Sequence, residues 1–349
     1  MDPAVPHQEM THQEITDDPR SLQRSLSAYR APRLTRSIFE LVVTAIPFGL
    51  FWFLTWASVS AGYWLGLLLV IPAAGFLVRL FMIQHDCGHG SFFPSRRAND
   101  WVGRALGVLT LTPYDLWRHT HALHHAHSGN LERAYEGSID TLSVREYQAL
   151  PPLQRLRYRL YRHPLVLFGL GPVYLFVLQN RVPVGFMRAG RMPWLSTMGT
   201  NVAIVLLAIA MMSVVGAGIF LLVHVPIAVL ASSIGVWLFY VQHQFENTRW
   251  AHDGEWSFHE TALYGSSYYE LPAPLRWMTA NIGVHHVHHL VSRIPFYRLP
   301  EVLKDYPPLR EISRVTLRQS LQCARLALWD EERQRLVPFS REHTSPDVS

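Results

Sequence analysis

The chain has 349 residues and a formal net charge of +5, and its 31 basic residues are all Arg except Lys304. That length suits one large or two modest domains, and arginines that flank apolar stretches instead of forming one basic domain argue against nucleic acid as a partner. Only two cysteines occur, Cys87 and Cys323, so a disulfide framework and any Cys-based zinc or iron–sulfur site are excluded.

Residues 1–37 are polar and rich in Pro, Gln, Asp and Arg, which predicts a disordered tail ending in a basic flank at Arg30, Arg33 and Arg36. No apolar run follows an N-terminal charge, so no secretory signal is expected. Residues 38–58 and 62–83 are each long and apolar enough for a membrane span, which needs about 20 such residues. The uncharged link Val59-Ser60-Ala61 makes them a hairpin. Residues 101–117 and 164–179 are only moderately apolar and are expected to lie at the interface or to re-enter the membrane. Over residues 153–163, Leu153, Leu156 and Leu160 recur at helical spacing among Arg155, Arg157, Arg159 and Arg162. This predicts an amphipathic helix on anionic lipid, with a docking surface for an acidic electron carrier as the rival reading. Residues 196–222 and 226–243 form a second hairpin, joined near Gly216–Pro226. Residues 301–349 read as a helical segment with a polar tail.

These elements define an all-α integral membrane protein with four transmembrane helices in two hairpins and a helical cap. Many of the eleven Trp residues sit near the ends of apolar runs, as in an interfacial aromatic belt. Both hairpin links lack Arg and Lys, whereas the N-terminal stretch, residues 84–195 and the region after 243 are Arg-rich. The positive-inside rule therefore puts both termini and the long central segment in the cytosol.

Ten of the 19 histidines fall in three tight clusters on that same side, just beyond the spans. They are His85-Asp86-Cys87-Gly88-His89, His119-Thr120-His121-Ala122-Leu123-His124-His125 and His285-His286-Val287-His288-His289. Neighbouring imidazoles cannot all be protonated without repulsion, and a bound transition metal holds them neutral. Positions three and four apart share a helix face. On that rule His85 and His89, then His121, His124 and His125, then His285, His288 and His289 each converge. The eight nitrogens are too many for one ion and suit two. His119 and His286 break the spacing and point elsewhere, and His127 is read with them as supporting or surface.

The runs HDCGHGSFF (His85–Phe93), WRHTHALHH (Trp117–His125) and HHVHHL (His285–Leu290), in that order, resemble the membrane fatty acid desaturases. The likeness is greatest to the acyl-lipid, Δ12 or omega-6-type branch and its bacterial relatives, and it extends over about residues 38–300. The stretch YVQHQFE (Tyr240–Glu246) fits the same group. The resemblance implies a membrane-bound non-haem diiron enzyme that uses O₂ as co-substrate to insert a cis double bond into a fatty acyl chain. Its nine metal ligands would be His85, His89, His121, His124, His125, His243, His285, His288 and His289. Acids orient ligand imidazoles in such sites, and Asp86, Asp140, Glu246 and Asn247 are candidates by proximity.

An unactivated methylene yields its hydrogens to no side-chain acid or base, so the cofactor must supply the oxidising power. The chain's Glu-x-x-His is Glu9–His12, in the polar tail, which is not the soluble diiron pattern. His259-Glu260 is followed by Leu263 and gives no zinc-protease motif. Neither a His-Pro-Gly-Gly nor a Cys-x-x-Cys signature occurs, so electrons are expected from a separate donor such as a ferredoxin or flavodoxin. The acyl substrate is expected to be lipid-linked, or carried on CoA or an acyl carrier protein, and to lie in an apolar tunnel beneath the metals. The rivals are a related diiron hydroxylase or ketolase of alkanes or carotenoids, told apart by its oxygenated product, and a His-rich metal transporter or bis-His haem protein. A transporter would carry its ligands inside the spans.

Overall fold

The structure is a computed structural model that describes residues 18–133 and 139–341. The tail expected at the N-terminus therefore lies outside the described residues up to position 17, as does the polar C-terminal end from position 342. The rest of the expected tail is folded. Helix α1 (Pro19–Leu26) is N-capped by Asp18, carries Pro19 in its first turn and buries Leu22 and Leu26. That small apolar face, with buried Tyr29, packs into the main core and overrides the polar composition of the segment.

Among the described residues, four helices are long and apolar enough to cross a membrane. In chain order the first two are α2 (Leu34–Ser60) and α3 (Val70–His89), the latter continuing a 3-10 turn at Trp64–Leu69. Helix α4 (Arg96–Leu109) and helix α5 (Tyr114–His127) follow, then the amphipathic helix α6 (Pro152–Tyr161). The second membrane pair is α7 (Arg191–Val215) and α8 (Ala217–His243). Its turn is narrower than the sequence suggests. Gly216 alone reverses the chain, at φ +85°. Pro226 lies inside α8, a position tolerated in membrane helices because neighbouring groups satisfy the freed carbonyl.

Burial on α2 is inverted relative to a water-soluble helix. Ile38, Phe39, Val42, Ile46, Leu50 and Phe53 are exposed, whereas Ser37, Glu40, Thr44 and Thr55 are buried. On α7, Val202, Val205, Leu206 and Ile209 are exposed. Such surfaces are stable only against hydrocarbon. The inward polar stripe of α2 meets Arg79 of α3, which is 1% exposed and paired with Glu40. Thr44 accepts from Arg79 Nε at 3.1 Å, and Arg36 closes on the other carboxylate oxygen at 2.6 Å. Arg79 also donates to the carbonyl of Trp277, and its guanidinium lies over the Trp277 and Phe296 rings at 4.1 and 5.2 Å.

The interfacial expectations for the middle of the chain fit the exposure pattern. Leu153, Leu156 and Leu160 of α6 are all exposed, as is Trp101 of α4. Helix α6 and the following segment Val166–Arg181 together are apolar enough for a fifth span, but they bend by 57°, as a broken span or re-entrant loop does. Arg162, at the bend, is buried. It donates to Tyr240 Oη, Gln244 Oε1 and the Leu326 carbonyl at 3.1, 2.9 and 2.8 Å.

Beyond α8 the chain forms the cap: α9 (Phe258–Tyr264), α10 (Ala273–Met278) and α11 (His285–Leu290). The fold is mostly helical, but the expected purely helical C-terminal segment is corrected by the strands. Strand β1 (Leu142–Ser143) pairs in parallel with β4 (Leu326–Asp330), which pairs antiparallel with β5 (Arg335–Pro338). Strand β2 (Tyr268–Glu270) pairs in parallel with β3 (Arg314–Thr316). In β4, Ala327 and Leu328 pack with Tyr158 of α6, and the buried, β-favouring Trp329 stacks on Trp250, a pattern too short to reveal itself in the sequence.

The buried ion pair between α2 and α3 yields a stability expectation. Replacing Arg79 by Met leaves buried Glu40 with the half-exposed Arg36 alone and should cost about 3 kcal/mol. Changing Glu40→Leu and Arg79→Met together should recover a large part of that loss. Thermal unfolding of the detergent-solubilised proteins checks this, and equal destabilisation of the single and double variants would contradict it.

Candidate metal centre

The candidate ligands stand where rigid elements end. Gly90, at φ +66°, terminates α3 one residue after His89 and lets Ser91 N–H return to the Asp86 carbonyl at 3.0 Å. Gly88 leaves room for Trp117 of α5, whose ring would lie only 2.7 Å from a Cβ at that position. Trp117 in turn stacks on His121, with ring centroids 4.7 Å apart and planes at 14°. Helix α5 thereby meets the end of α3, and Tyr114 Oη secures it by donating to the Cys87 carbonyl at 2.8 Å. Cys87 itself is buried and free, in line with a packing role.

The third cluster is held from two sides. The first N–H groups of α11, at His285 and His286, donate to the Ser267 carbonyl at 3.2 and 3.3 Å. Ser267 N–H and Oγ donate back to the Gln242 and Val241 carbonyls at 2.9 and 3.2 Å, beside His243 at the end of α8. On the other side, Gln23 of α1 donates to the Leu290 carbonyl at 3.0 Å. Asp86 ties the first cluster to the third: one oxygen accepts Phe296 N–H at 2.7 Å and the other faces His85 Nδ1 at 3.2 Å.

All nine histidines expected as ligands come together, in two groups. His85, His89, His121, His125 and His288 form one, and His124, His243, His285 and His289 form the other. Within each group one nitrogen per residue lies within 4.8 Å of all the others. The Nε2···Nε2 separations are 3.0 Å for His89–His121, 3.1 Å for His121–His125 and 3.2 Å for His125–His288. In the second group they are 3.1 Å for His124–His243, 3.0 Å for His243–His285 and 3.1 Å for His285–His289. Imidazole nitrogens adjacent on one ion, at roughly 2.0–2.1 Å from it, would lie about 3 Å apart. The donor set thus fits two transition-metal ions. His243 Nδ1 faces the Gly265 carbonyl at 3.3 Å, which can only accept, so Nδ1 carries the proton and Nε2 offers its lone pair inward. The two groups touch where the His125 and His289 rings stack at 4.1 Å, with planes at 17°.

Burial first, and neighbouring imidazoles second, hold His121, His124, His125, His285, His288 and His289 well below the ordinary value of 6.5. The cluster is therefore a set of neutral bases at any physiological pH.

The three further histidines in or beside the clusters stay outside both groups. His119 is exposed and packs on Phe186, and His127 lies half-buried at the end of α5. His286 is buried and its Nε2 bonds the Leu309 carbonyl at 2.9 Å, with burial pushing its pKa down to about 4. Of the four acid and amide candidates, only Asp86 meets an imidazole among the described residues. Asp140, Glu246 and Asn247 are exposed, and this corrects the expectation from proximity. Helix α8 ends at His243, so Glu246 leaves the helix direction and pairs with Arg335 at 3.3 Å. Asp140 engages Tyr161 and Arg162 through its backbone. Sequence reasoning missed Trp117 and also Phe239, whose ring lies 5.1 Å from His124 and 5.3 Å from His243. An aromatic one helical turn before His243 was the available signal.

Two cavities reach the cluster. One, of about 320 Å³, is open and is lined by Gln23, Arg30, His125, Phe258, His289 and Arg293 among others. The second is narrower and more enclosed, and runs past His124, Phe239 and His243 to Leu131, Ile139, Thr141 and Trp250.

Apolar helices that fit a membrane, with two histidine groups able to hold metal ions at the ends of two of them, define the class: a membrane protein with a histidine-lined candidate metal centre. Comparison with known proteins narrows it. The family model described as fatty acid desaturase matches residues 58–320. A fatty acid desaturase of Bacillus subtilis is 44% identical over 332 residues, covering 95% of this chain and 93% of that protein. The sn-1 acyl-lipid omega-3 desaturase (ferredoxin) of Synechocystis is 30% identical over 66% of this chain and 64% of its own length. The sn-1 oleoyl-lipid 12-desaturase of the same organism is 27% identical over 64% of this chain and 63% of its own length. The chain belongs to the fatty acid desaturase family.

Two outcomes follow from this geometry. His288→Ala should lower the metal content of the loaded protein by roughly half or more, because metal binding rests on the complete ligand set. His286→Ala should keep the metal and lose about 1–3 kcal/mol of stability through the unpaired Leu309 carbonyl. Metal analysis with thermal unfolding separates them, and equal metal loss in both variants would sink the assignment. The pH dependence has a definite sign. Above about 6.5 the histidines are neutral whether folded or unfolded, and no dependence arises. Below it the unfolded chain binds protons that the buried imidazoles cannot, so the metal-free protein should lose stability progressively as pH falls from 6.5, read as a falling unfolding temperature.

Proposed function

We propose that the protein is a non-haem diiron fatty acid desaturase that inserts a cis double bond into a membrane-lipid acyl chain, of Δ12 type. The observation that carries this reading is the pair of converging imidazole groups at the membrane ends of α3 and α8. Imidazole suits iron, and membership of the desaturase family gives a dinuclear site this chemistry. The balanced reaction takes –CH₂–CH₂–, O₂, two electrons and two protons to –CH=CH– and two waters. Bound irons supply the oxidising power that no side chain has toward a methylene.

The chain's own residues hold and place. Asp86 orients His85, and the Gly265 carbonyl fixes the His243 tautomer. Trp117 stacks on His121 and fixes the plane of its ring. The enclosed cavity beside His124 and His243 is where we place the reacting methylenes, against Phe239, Ile139 and Leu131. Its polar far side, Thr141 and Gln244, is fixed by Arg162 and limits how far the chain tail penetrates.

The electron donor in this reading is a separate ferredoxin or flavodoxin, as the name of the Synechocystis relative supports. The arginine distribution supports an inner bacterial membrane with both termini and the histidine clusters cytosolic.

Expression in a bacterial host lacking polyunsaturated lipids, followed by double-bond mapping, tests the proposal. New cis unsaturation twelve carbons from the carboxyl end is expected, and it should vanish in the His288→Ala variant. An oxygenated acyl product would favour the hydroxylase reading. Absence of any product from metal-loaded, reduced protein would remove the desaturase reading.

A further inference from the structure

We infer that the open cavity over the stacked His125 and His289 rings is the docking site of an acidic one-electron carrier protein. The inference rests on the desaturase reading above and gives its electron supply a place on the surface.

Three observations converge there. The first is access. His125 belongs to one imidazole group and His289 to the other, and both line this one cavity. A redox centre seated at its mouth would face a residue of each imidazole group at once. The second is shape. An acyl tail needs an enclosed channel, and the other cavity, past His124 and Phe239, is the more enclosed of the two. This one is open and is edged by Gln23, Ser292 and two arginines. The third is charge. Arg30 and Arg293 are exposed at the rim, and neither has an ion-pair partner among the described residues. Nearby arginines are engaged: Arg24 faces Asp18 at 3.9 Å, Arg249 faces Glu260 at 3.6 Å and Arg298 faces Glu301 at 3.0 Å. Two free guanidinium groups beside an opening onto the metal site steer an acidic partner, as weak electron-transfer encounters require.

Helix α1 serves as one wall. Gln23 holds the Leu290 carbonyl, so the cavity rim and the third histidine cluster are a single packed unit. The electron balance is simple. Each encounter oxidises one reduced carrier by one electron, and two encounters provide the two electrons that one double bond consumes.

The test uses the full-length, metal-loaded protein with an acidic ferredoxin as donor. Arg30→Glu with Arg293→Glu should raise the KM for ferredoxin tenfold or more and flatten its dependence on ionic strength, with metal content at the wild-type level. Arg30→Lys with Arg293→Lys should retain most of the wild-type KM, which guards against a variant that merely folds badly. Product formed in a single turnover of chemically pre-reduced enzyme is the internal standard. If that yield falls in step with the ferredoxin-driven rate in the glutamate variant, the rim binds the anionic head of the lipid substrate and the inference is overturned. An unchanged ferredoxin KM overturns it too. Failure of the wild-type protein itself to form product after pre-reduction would instead count against the desaturase reading.

Discussion

Nine imidazole nitrogens aimed at two points are the constraint on which this structure depends. Weak bases at 3.0–3.2 Å from one another cannot all be cationic, and they serve a metal only as neutral lone pairs. Burial secures that state, but burial also removes water as a hydrogen-bond partner. The outward nitrogens must then find protein acceptors, as His85 does at Asp86 and His243 at Gly265. The Nδ1 atoms of His124, His125 and His285 are buried and find none, which makes the inward face of each ring its sole polar outlet. A cation would be held by the inward Nε2 lone pairs, with the proton of each ring kept on Nδ1.

The fold meets the constraint by placing the histidines on the last turns of elements that cannot move independently. Helices α3 and α8 deliver His85, His89 and His243 from the membrane side. Helix α11 delivers the third cluster from the cap, and its N-terminal donors are fixed by Ser267, which is itself fixed by the end of α8. Asp86 and Gln23 close the remaining gaps. The precision of the centre therefore comes from cross-links between distant segments, since α11 spans only six residues and has little helical stability of its own.

Much of this was legible in the sequence, for a physical reason. Helical spacing is local, so His121, His124 and His125 could be told from His119, and His285, His288 and His289 from His286, without any tertiary information. Membrane spans are legible because hydrocarbon demands long apolar runs. The partition of the nine side chains into five and four was not readable, because it depends on which helix ends meet. The exposed positions of Asp140, Glu246 and Asn247 escaped for the same reason: nearness in sequence says nothing of direction once a helix stops at His243. The role of residues 19–29 was hidden by composition, where a few buried apolar side chains and one Gln outweigh a polar average.

The pair formed by Glu40 and Arg79 bears on how the protein reaches the bilayer at all. A charged side chain within a lone spanning helix is opposed on insertion, and the cost falls toward the membrane edge. Arg79 lies toward the histidine-bearing end of its span, and the carboxylate that pairs with it belongs to the preceding helix. The link from Ala61 to Tyr63 is short enough for α2 and α3 to leave the insertion machinery back to back. Each helix is then a poor substrate for lipid alone and a good one with its neighbour, so biogenesis favours the hairpin as the unit that partitions. The first histidine cluster, at the end of α3, is consequently anchored at the membrane surface before the third has been synthesised.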